Sequence, residues 1–154
     1  MEFFQRIDED CAIARQPTPE EIQQLPQEGF KSVLNLRSPD ELGALGDEQQ
    51  RIEALGLTYA NVPVPLDRLN STLAEQVLST IQTLPKPTLI YCASARRASA
   101  IALMEIARCR ALTPEQTLEL GLTMGFDYEA HPNLKLFIYE HIASMQPRTQ
   151  SATP

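Results

Sequence analysis

Thr88-Leu89-Ile90-Tyr91-Cys92-Ala93-Ser94-Ala95-Arg96-Arg97-Ala98-Ser99-Ala100 passes from an apolar strand into a short loop and then into an alanine-rich helix. The strand ends at Cys92. Four small or polar residues separate Cys92 from Arg97, and Ala98, Ile101, Ala102, Met104, Ile106 and Ala107 continue as an apolar helical face. In a parallel sheet such a turn lies at the carboxyl edge of a strand, where α/β folds place their ligands. Successive backbone N–H groups in the turn form an anion nest, and the helix N-terminus adds its partial positive charge. An arginine folding back supplies a planar fork of donors. The same field stabilises a thiolate, which is a strong nucleophile. Cys92 and Arg97 are therefore the candidate chemical groups. Ala93, Ser94, Ala95 and Arg96 are the candidate substrate-binding residues, the first three small enough to leave room for substrate oxygens and Arg96 a further donor. The plainer alternative is a half-buried cysteine followed by two solvated arginines, since cysteines often serve only as core residues.

The rest of the chain supplies the frame. Strand-like runs occur at Cys11–Ala14, Ser32–Leu36, Thr58–Val64 and Thr88–Tyr91. Three segments share a helix-start design: Thr18-Pro19-Glu20-Glu21, Ser38-Pro39-Asp40-Glu41 and Thr113-Pro114-Glu115-Gln116. In each, a hydroxyl caps, proline takes the first helical position, and Glu or Gln three residues on reaches back. Thr72 with Glu75 reads as a fourth box without proline. Gly29, Gly56 and Gly125 read as helix stops. Helices are predicted near 18–28, 46–55, 72–84, 98–110, 113–124 and 133–145. Alternating strands and helices predict an α/β fold, with a mainly parallel central sheet of about four or five strands flanked by helices. Residues 1–145 form one domain, and the polar, proline-containing tail 146–154 is expected to be disordered.

Composition narrows the function classes. The chain has 154 residues, 43% hydrophobic and 21% charged, as in ordinary globular proteins. Its net charge of −7 argues against nucleic acid or anionic lipid as the main partner. No apolar run is long enough for a membrane span, and the acidic N-terminus does not read as a secretory signal, so the expected location is the cytoplasm. Three cysteines, Cys11, Cys92 and Cys109, make no disulfide framework and no C-x-x-C pair. Cys11 and Cys109 read as structural. His131 and His141 lie far from any acidic pair in the sequence, so neither a metal site nor a cofactor is expected. No coiled-coil heptads point to an oligomeric state.

Taken together, these segments resemble the bacterial beta-lactamase hydrolase-like, phosphatase-like family, which has the dual-specificity phosphatase fold. The likeness covers about residues 10–145 and rests on the order and spacing of five stretches. These are Gln16-Pro17-Thr18-Pro19-Glu20, Gly29-Phe30-Lys31-Ser32-Val33-Leu34-Asn35-Leu36-Arg37, Asn61-Val62-Pro63-Val64, the Cys92–Arg97 loop, and Leu112-Thr113-Pro114-Glu115-Gln116. The resemblance implies that Cys92 takes a phosphoryl group as a thiophosphate, that Arg97 binds the phosphate, and that water then releases it. It also implies a general acid in the loop after Val64, where Asp67 is the candidate. Asp67 reads equally well as a solvated loop residue. Arg37 is expected either to help bind substrate or, more simply, to pair with Asp40. Tyr128 and His131 receive no role.

The loop also departs from the tyrosine phosphatase pattern. Those enzymes have Cys-x5-Arg, whereas here position 98 is Ala and Arg97 closes a loop one residue shorter. Ala95 stands where a glycine is usual, Tyr91 replaces the histidine before the cysteine, and Ala98 replaces the hydroxyl residue after the arginine. A positive φ at Ala95 would cost about 1 kcal/mol or more. Three functions stay open. The first is a phosphatase acting on a phosphorylated protein or small phosphoester. The second is a rhodanese-like sulfurtransferase taking a sulfur donor, which the short loop suits. The third is a non-catalytic anion- or phosphoprotein-binding module.

Overall fold

Strand β5 (Thr88–Tyr91) lies at the centre of a five-stranded sheet ordered β1-β2-β5-β3-β4, in a computed structural model that describes residues 3–145. The expected disorder of 146–154 concerns residues outside that range. β2 (Cys11–Ala14) and β3 (Ser32–Asn35) flank β5, and β4 (Thr58–Asn61) pairs with β3, all parallel. β1 (Phe4–Asp8), which the sequence reading missed, adds antiparallel to the edge at β2. Only Phe4 of its Phe4-Gln5-Arg6-Ile7-Asp8 is buried, and it lacks the apolar run that marks the central strands.

β3 and β5 are buried at every position, as expected of strands covered on both faces. Side-chain alternation sends Leu89 and Tyr91 into one core layer with Ile22, Leu25 and Ile52, from α1 (Pro19–Gln24) and α2 (Glu48–Ala54) and the chain beside them. Ile90 and Cys92 point into the other layer. That layer is built from α3 (Ser71–Thr83), α4 (Arg96–Arg110), α5 (Pro114–Thr123) and α6 (Pro132–Met145). Fully buried residues such as Leu89 and Ile90 each contribute about 1.5–3 kcal/mol of apolar transfer.

The boxes at Thr18 and Thr113 form as predicted, each with both reciprocal hydrogen bonds. Two other predicted starts differ. α3 is capped by Asn70, whose Oδ1 accepts from the Leu73 amide at 2.9 Å, rather than by Thr72. Ser38–Glu41 starts no helix. The Glu41 amide donates to the Ser38 carbonyl in a turn, and the Glu41 carboxylate keeps only one arm of the box, to the Ser38 amide at 3.0 Å. Its other contacts go to Arg97, far along the chain, and to Arg37, one helical turn's spacing before it. Gly43, at φ +89°, then turns the chain so that the Leu42 carbonyl faces Arg37. α4 begins at Arg96, two residues before the predicted start, so both arginines sit in its first turn.

Candidate active site

Cys92 follows β5 directly, and its amide continues the ladder to the Ala14 carbonyl at 3.3 Å. The residue is completely buried, and its sulfur accepts from the Ala98 amide at 3.4 Å. Between them the loop turns on Ala95, which has φ +75° and ψ −6° and stands as the N-cap of α4. A left-handed alanine costs about 1–2 kcal/mol. The strain expected from the sequence is therefore present at Ala95.

Among the described residues, the amides of Ala93, Ser94, Ala95, Arg96 and Arg97 donate no hydrogen bond within the chain. Two of these belong to the first turn of α4, whose amides have no intrahelical partner. Ala93, Ser94 and Arg96 are exposed, so the nest opens to solvent while the sulfur beneath it is closed in. The sequence-predicted Cys92, Ala93, Ser94, Ala95, Arg96 and Arg97 are thus brought together at one strand end.

The Arg97 guanidinium is held by a carboxylate. Its Nη1 donates to Glu41 Oε2 at 2.9 Å and to the Val64 carbonyl at 3.0 Å, while Nη2 donates to Glu41 Oε1 at 3.0 Å. Cys92 is also near enough to act on the Arg97 guanidinium electrostatically. Hydrogen bonding to Glu41 pushes the Arg97 pKa further up, and the same bonds hold the Glu41 carboxyl down at about 2. Arg37 braces Glu41 from the other side through Nε at 3.1 Å. Arg37 also donates to Gln16 Oε1 at 2.8 Å and to the Leu42 carbonyl. Its partner is therefore Glu41, not the expected Asp40.

The chain of contacts continues away from the loop. Gln16 Nε2 donates to Glu48 Oε1 at 2.5 Å, and the Gln16 amide donates to the Ala93 carbonyl at 3.2 Å. Glu48 is buried, and burial pushes its carboxyl above the usual range. Tyr91, next to Cys92, places its buried hydroxyl beside Glu48 and Tyr59 without hydrogen-bond geometry to either. On the opposite flank Tyr128 and Ser99 share a 2.7 Å hydrogen bond, and Ser99 Oγ donates to the Arg96 carbonyl at 2.7 Å. Tyr128, to which the sequence assigned nothing, thereby fixes the start of α4.

Asp67 stands apart. Its side chain is 81% exposed and lies 3.7 Å from Arg68. It lines a cavity of about 240 Å³ with Asn133, Phe137 and His141, to which no residue of the 92–97 loop contributes. His141 is held there by Ser71 at 3.1 Å. Cys11 and Cys109 share a different cavity near the start of β5, away from Cys92. Burial pushes the Cys11 thiol up to about 12, as suits a structural residue. Cys109, also read as structural, is exposed. It faces outward late in α4, where its sulfur meets Glu105 and Arg108.

Glu41, Gln16 and Glu48 were missed as site residues. Glu41 carries a local signal that reads as a helix cap, and Glu48 sits in the undistinguished run Asp47-Glu48-Gln49-Gln50. No group of three or more His, Cys, Asp or Glu that could hold a metal occurs among the described residues. No helix among them is long and apolar enough to cross a membrane.

No protein-family model matches the chain. Curated relatives do. The chain is 30% identical over 126 residues to the beta-lactamase hydrolase-like protein of Xylella fastidiosa strain Temecula1, and 28% identical over 126 residues to that of Agrobacterium fabrum. The matched region takes in 79% of this chain but spans only 29% of the length of those relatives. Among solved structures, a DUF442 protein of Shewanella putrefaciens CN-32 superposes with TM-score 0.78 at 20% identity, covering 94% of each chain. TpbA of P. aeruginosa, solved in complex with pTyr, superposes with TM-score 0.72 at 13% identity, covering 99% of this chain and 91% of that one. Kinase associated phosphatase gives TM-score 0.72 at 13% identity, covering 94% and 88%. The chain is thus homologous to one segment of the beta-lactamase hydrolase-like proteins, and its fold is that of the tyrosine and dual-specificity phosphatases.

Proposed function

We propose that this chain, with the fold of the cysteine-dependent phosphatases, hydrolyses a phosphomonoester through a thiophosphate on Cys92. The observation that carries the reading is the run of five amides, Ala93 to Arg97, left without a partner in the chain around a cysteine and a back-folded arginine. The amides and Arg97 hold the phosphate oxygens. The Cys92 sulfur attacks phosphorus, the S–P bond forms, and the P–O bond to the leaving group breaks with its electron pair on that oxygen. Water then attacks phosphorus, returning the thiolate and releasing inorganic phosphate. Asp67 serves as acid only through closure of its loop over the nest, so aryl phosphates, whose leaving groups need little protonation, are the substrates of choice for a first assay. Hydrolysis of p-nitrophenyl phosphate is expected to vanish in Cys92→Ser and to fall at least about a hundredfold in Arg97→Ala. An active Cys92→Ser protein refutes the proposal.

The position of Asp67 also favours a second reading, sulfur transfer through a persulfide on Cys92. Attack of the thiolate on thiosulfate expels sulfite, a weak base that needs no proton from an acid. Cyanide then takes the sulfur as thiocyanate and restores the thiolate. Thiocyanate formation that depends on Cys92, with no aryl phosphate hydrolysis, selects this reading. Phosphate binding by calorimetry with no turnover in either assay refutes both and leaves an anion-binding module.

A further inference from the structure

The nest is flanked by a groove that neither reading uses. A cavity of about 220 Å³ is bounded by Ser94, Ala95 and Arg96 on one side and by Phe126, Asp127 and Tyr128 on the other. Those last three residues also line a second cavity of about 290 Å³ between α5 and α6, so the two adjoin at that segment. The second has an apolar floor of Leu118, Leu122 and Phe126, with Leu122 59% exposed. Glu115, Glu119, Asp127 and Glu129 stand on its rim against a single lysine, Lys135. Glu129 is paired with Lys135 and Glu115 accepts from Tyr139, while Glu119 has no partner among the described residues.

Charge says what belongs there. The chain carries −7, and its loop is built for an anion. A bare phosphate dianion approaches against the net field, whereas a substrate with cations beside its phosphate is drawn in by that same field. The phosphate of such a substrate lies at the amides of 93–97, and its cations meet the carboxylate rim.

We propose that this groove seats the peptide flanking a phosphorylated side chain, and that the segment it selects pairs an apolar residue with lysine or arginine. The inference rests on the phosphate-binding reading of the Cys92–Arg97 loop and names its substrate class. The apolar residue covers Leu122 and Phe126. The basic residues meet Glu119 and Asp127. Tyr128 lines both cavities and bonds to Ser99, so it sets the spacing between phosphate and flank.

The test uses two fluorescent phosphotyrosyl peptides, alike except that leucine plus two lysines, or leucine plus two glutamates, flank the phosphotyrosine. Binding to the full chain carrying Cys92→Ser is read by fluorescence anisotropy. The basic peptide is expected to bind about tenfold tighter at low salt, with the preference shrinking as ionic strength rises. Adding Glu119→Lys, a change at an exposed helix position, is expected to reduce the preference to about twofold or less. Leu122→Ser is expected to weaken both peptides together. In the Cys92 background, neither groove change alters p-nitrophenyl phosphate turnover, because neither residue borders the nest. Equal affinity for the two peptides, or a preference that survives Glu119→Lys, overturns the groove and leaves a small phosphoester as the substrate. Charge-selective binding with no hydrolysis in any assay removes the phosphatase reading and keeps the groove.

Discussion

Ala95 offers a perturbation whose sign is set by one backbone angle. Its φ of +75° is a conformation that an L-residue with a Cβ adopts at a cost of about 1–2 kcal/mol, and that glycine adopts freely. Ala95→Gly removes that strain but also gives the unfolded chain more freedom, which costs about 0.4–1 kcal/mol. The balance is a gain of roughly 0.5–1 kcal/mol, or about 1–4 °C in Tm for a domain of this size. Two controls bracket it. Ala111, at φ +53°, caps the C-terminus of α4, where glycine is the usual residue, so Ala111→Gly gains as well. Ala98 is helical and fully buried, so Ala98→Gly loses about 1 kcal/mol or more. Urea unfolding in phosphate- and sulfate-free buffer measures all three without stabilisation by a bound anion. If Ala95→Gly lowers the midpoint as Ala98→Gly does while Ala111→Gly raises it, the loop does not have the left-handed turn, and the argument for a strained nest falls.

Further expectations come from the charge network and one close contact. Glu41 is held down at about 2 by Arg97, so its contribution to stability and anion binding is complete above the usual carboxylate range near pH 4.5 and is lost as pH falls toward 2. Glu41→Gln should lose phosphate affinity at pH 7, by calorimetry, and flatten the acid limb of the unfolding profile; an unchanged acid limb refutes the pairing. Glu48 has the opposite sign. Burial raises its carboxyl, so the folded state keeps a proton that the unfolded state releases, and stability falls as pH rises through that interval. Glu48→Gln preserves the acceptor for Gln16 and should gain stability more at pH 8 than at pH 4.5 in urea titrations; equal gains at both would count against a protonated Glu48. At Gly121 an added Cβ would meet Leu103 Cδ1 at 2.8 Å. Gly121→Ala therefore sets a helix-propensity gain of about 1 kcal/mol against overpacking of about 1–3 kcal/mol, and a net loss of stability is expected.

Local chemistry was legible in the sequence because its partners are close in the chain. The boxes at Thr18 and Thr113 are contacts between residues three apart, and both formed. The alternation of buried strands and capped helices was enough to imply a parallel α/β sheet. The edge strand β1 was not legible, because only its Phe4 is buried and it is defined by its pairing with β2 rather than by its own pattern. Asp67 was placed by resemblance, and nothing in Pro65-Leu66-Asp67-Arg68 reveals which way that loop faces.

The same division runs through the loop itself. That a cysteine ends a buried strand, that small residues and an arginine follow, and that a helix then starts were properties of consecutive residues. Free amides at a helix start follow from such a pattern alone. What holds the arginine was decided by the tertiary structure. Ser38-Pro39-Asp40-Glu41 has the same form as two real helix starts, yet Glu41 is drawn to Arg97, 56 residues away, and to Arg37. Glu41 keeps its bond to the Ser38 amide and adds two charge-assisted hydrogen bonds to one guanidinium, while the turn does not go on into a helix. The contact with Arg97 arises only when parallel pairing sets the ends of β3 and β5 side by side, so no reading of residues 38–41 by themselves could have found it.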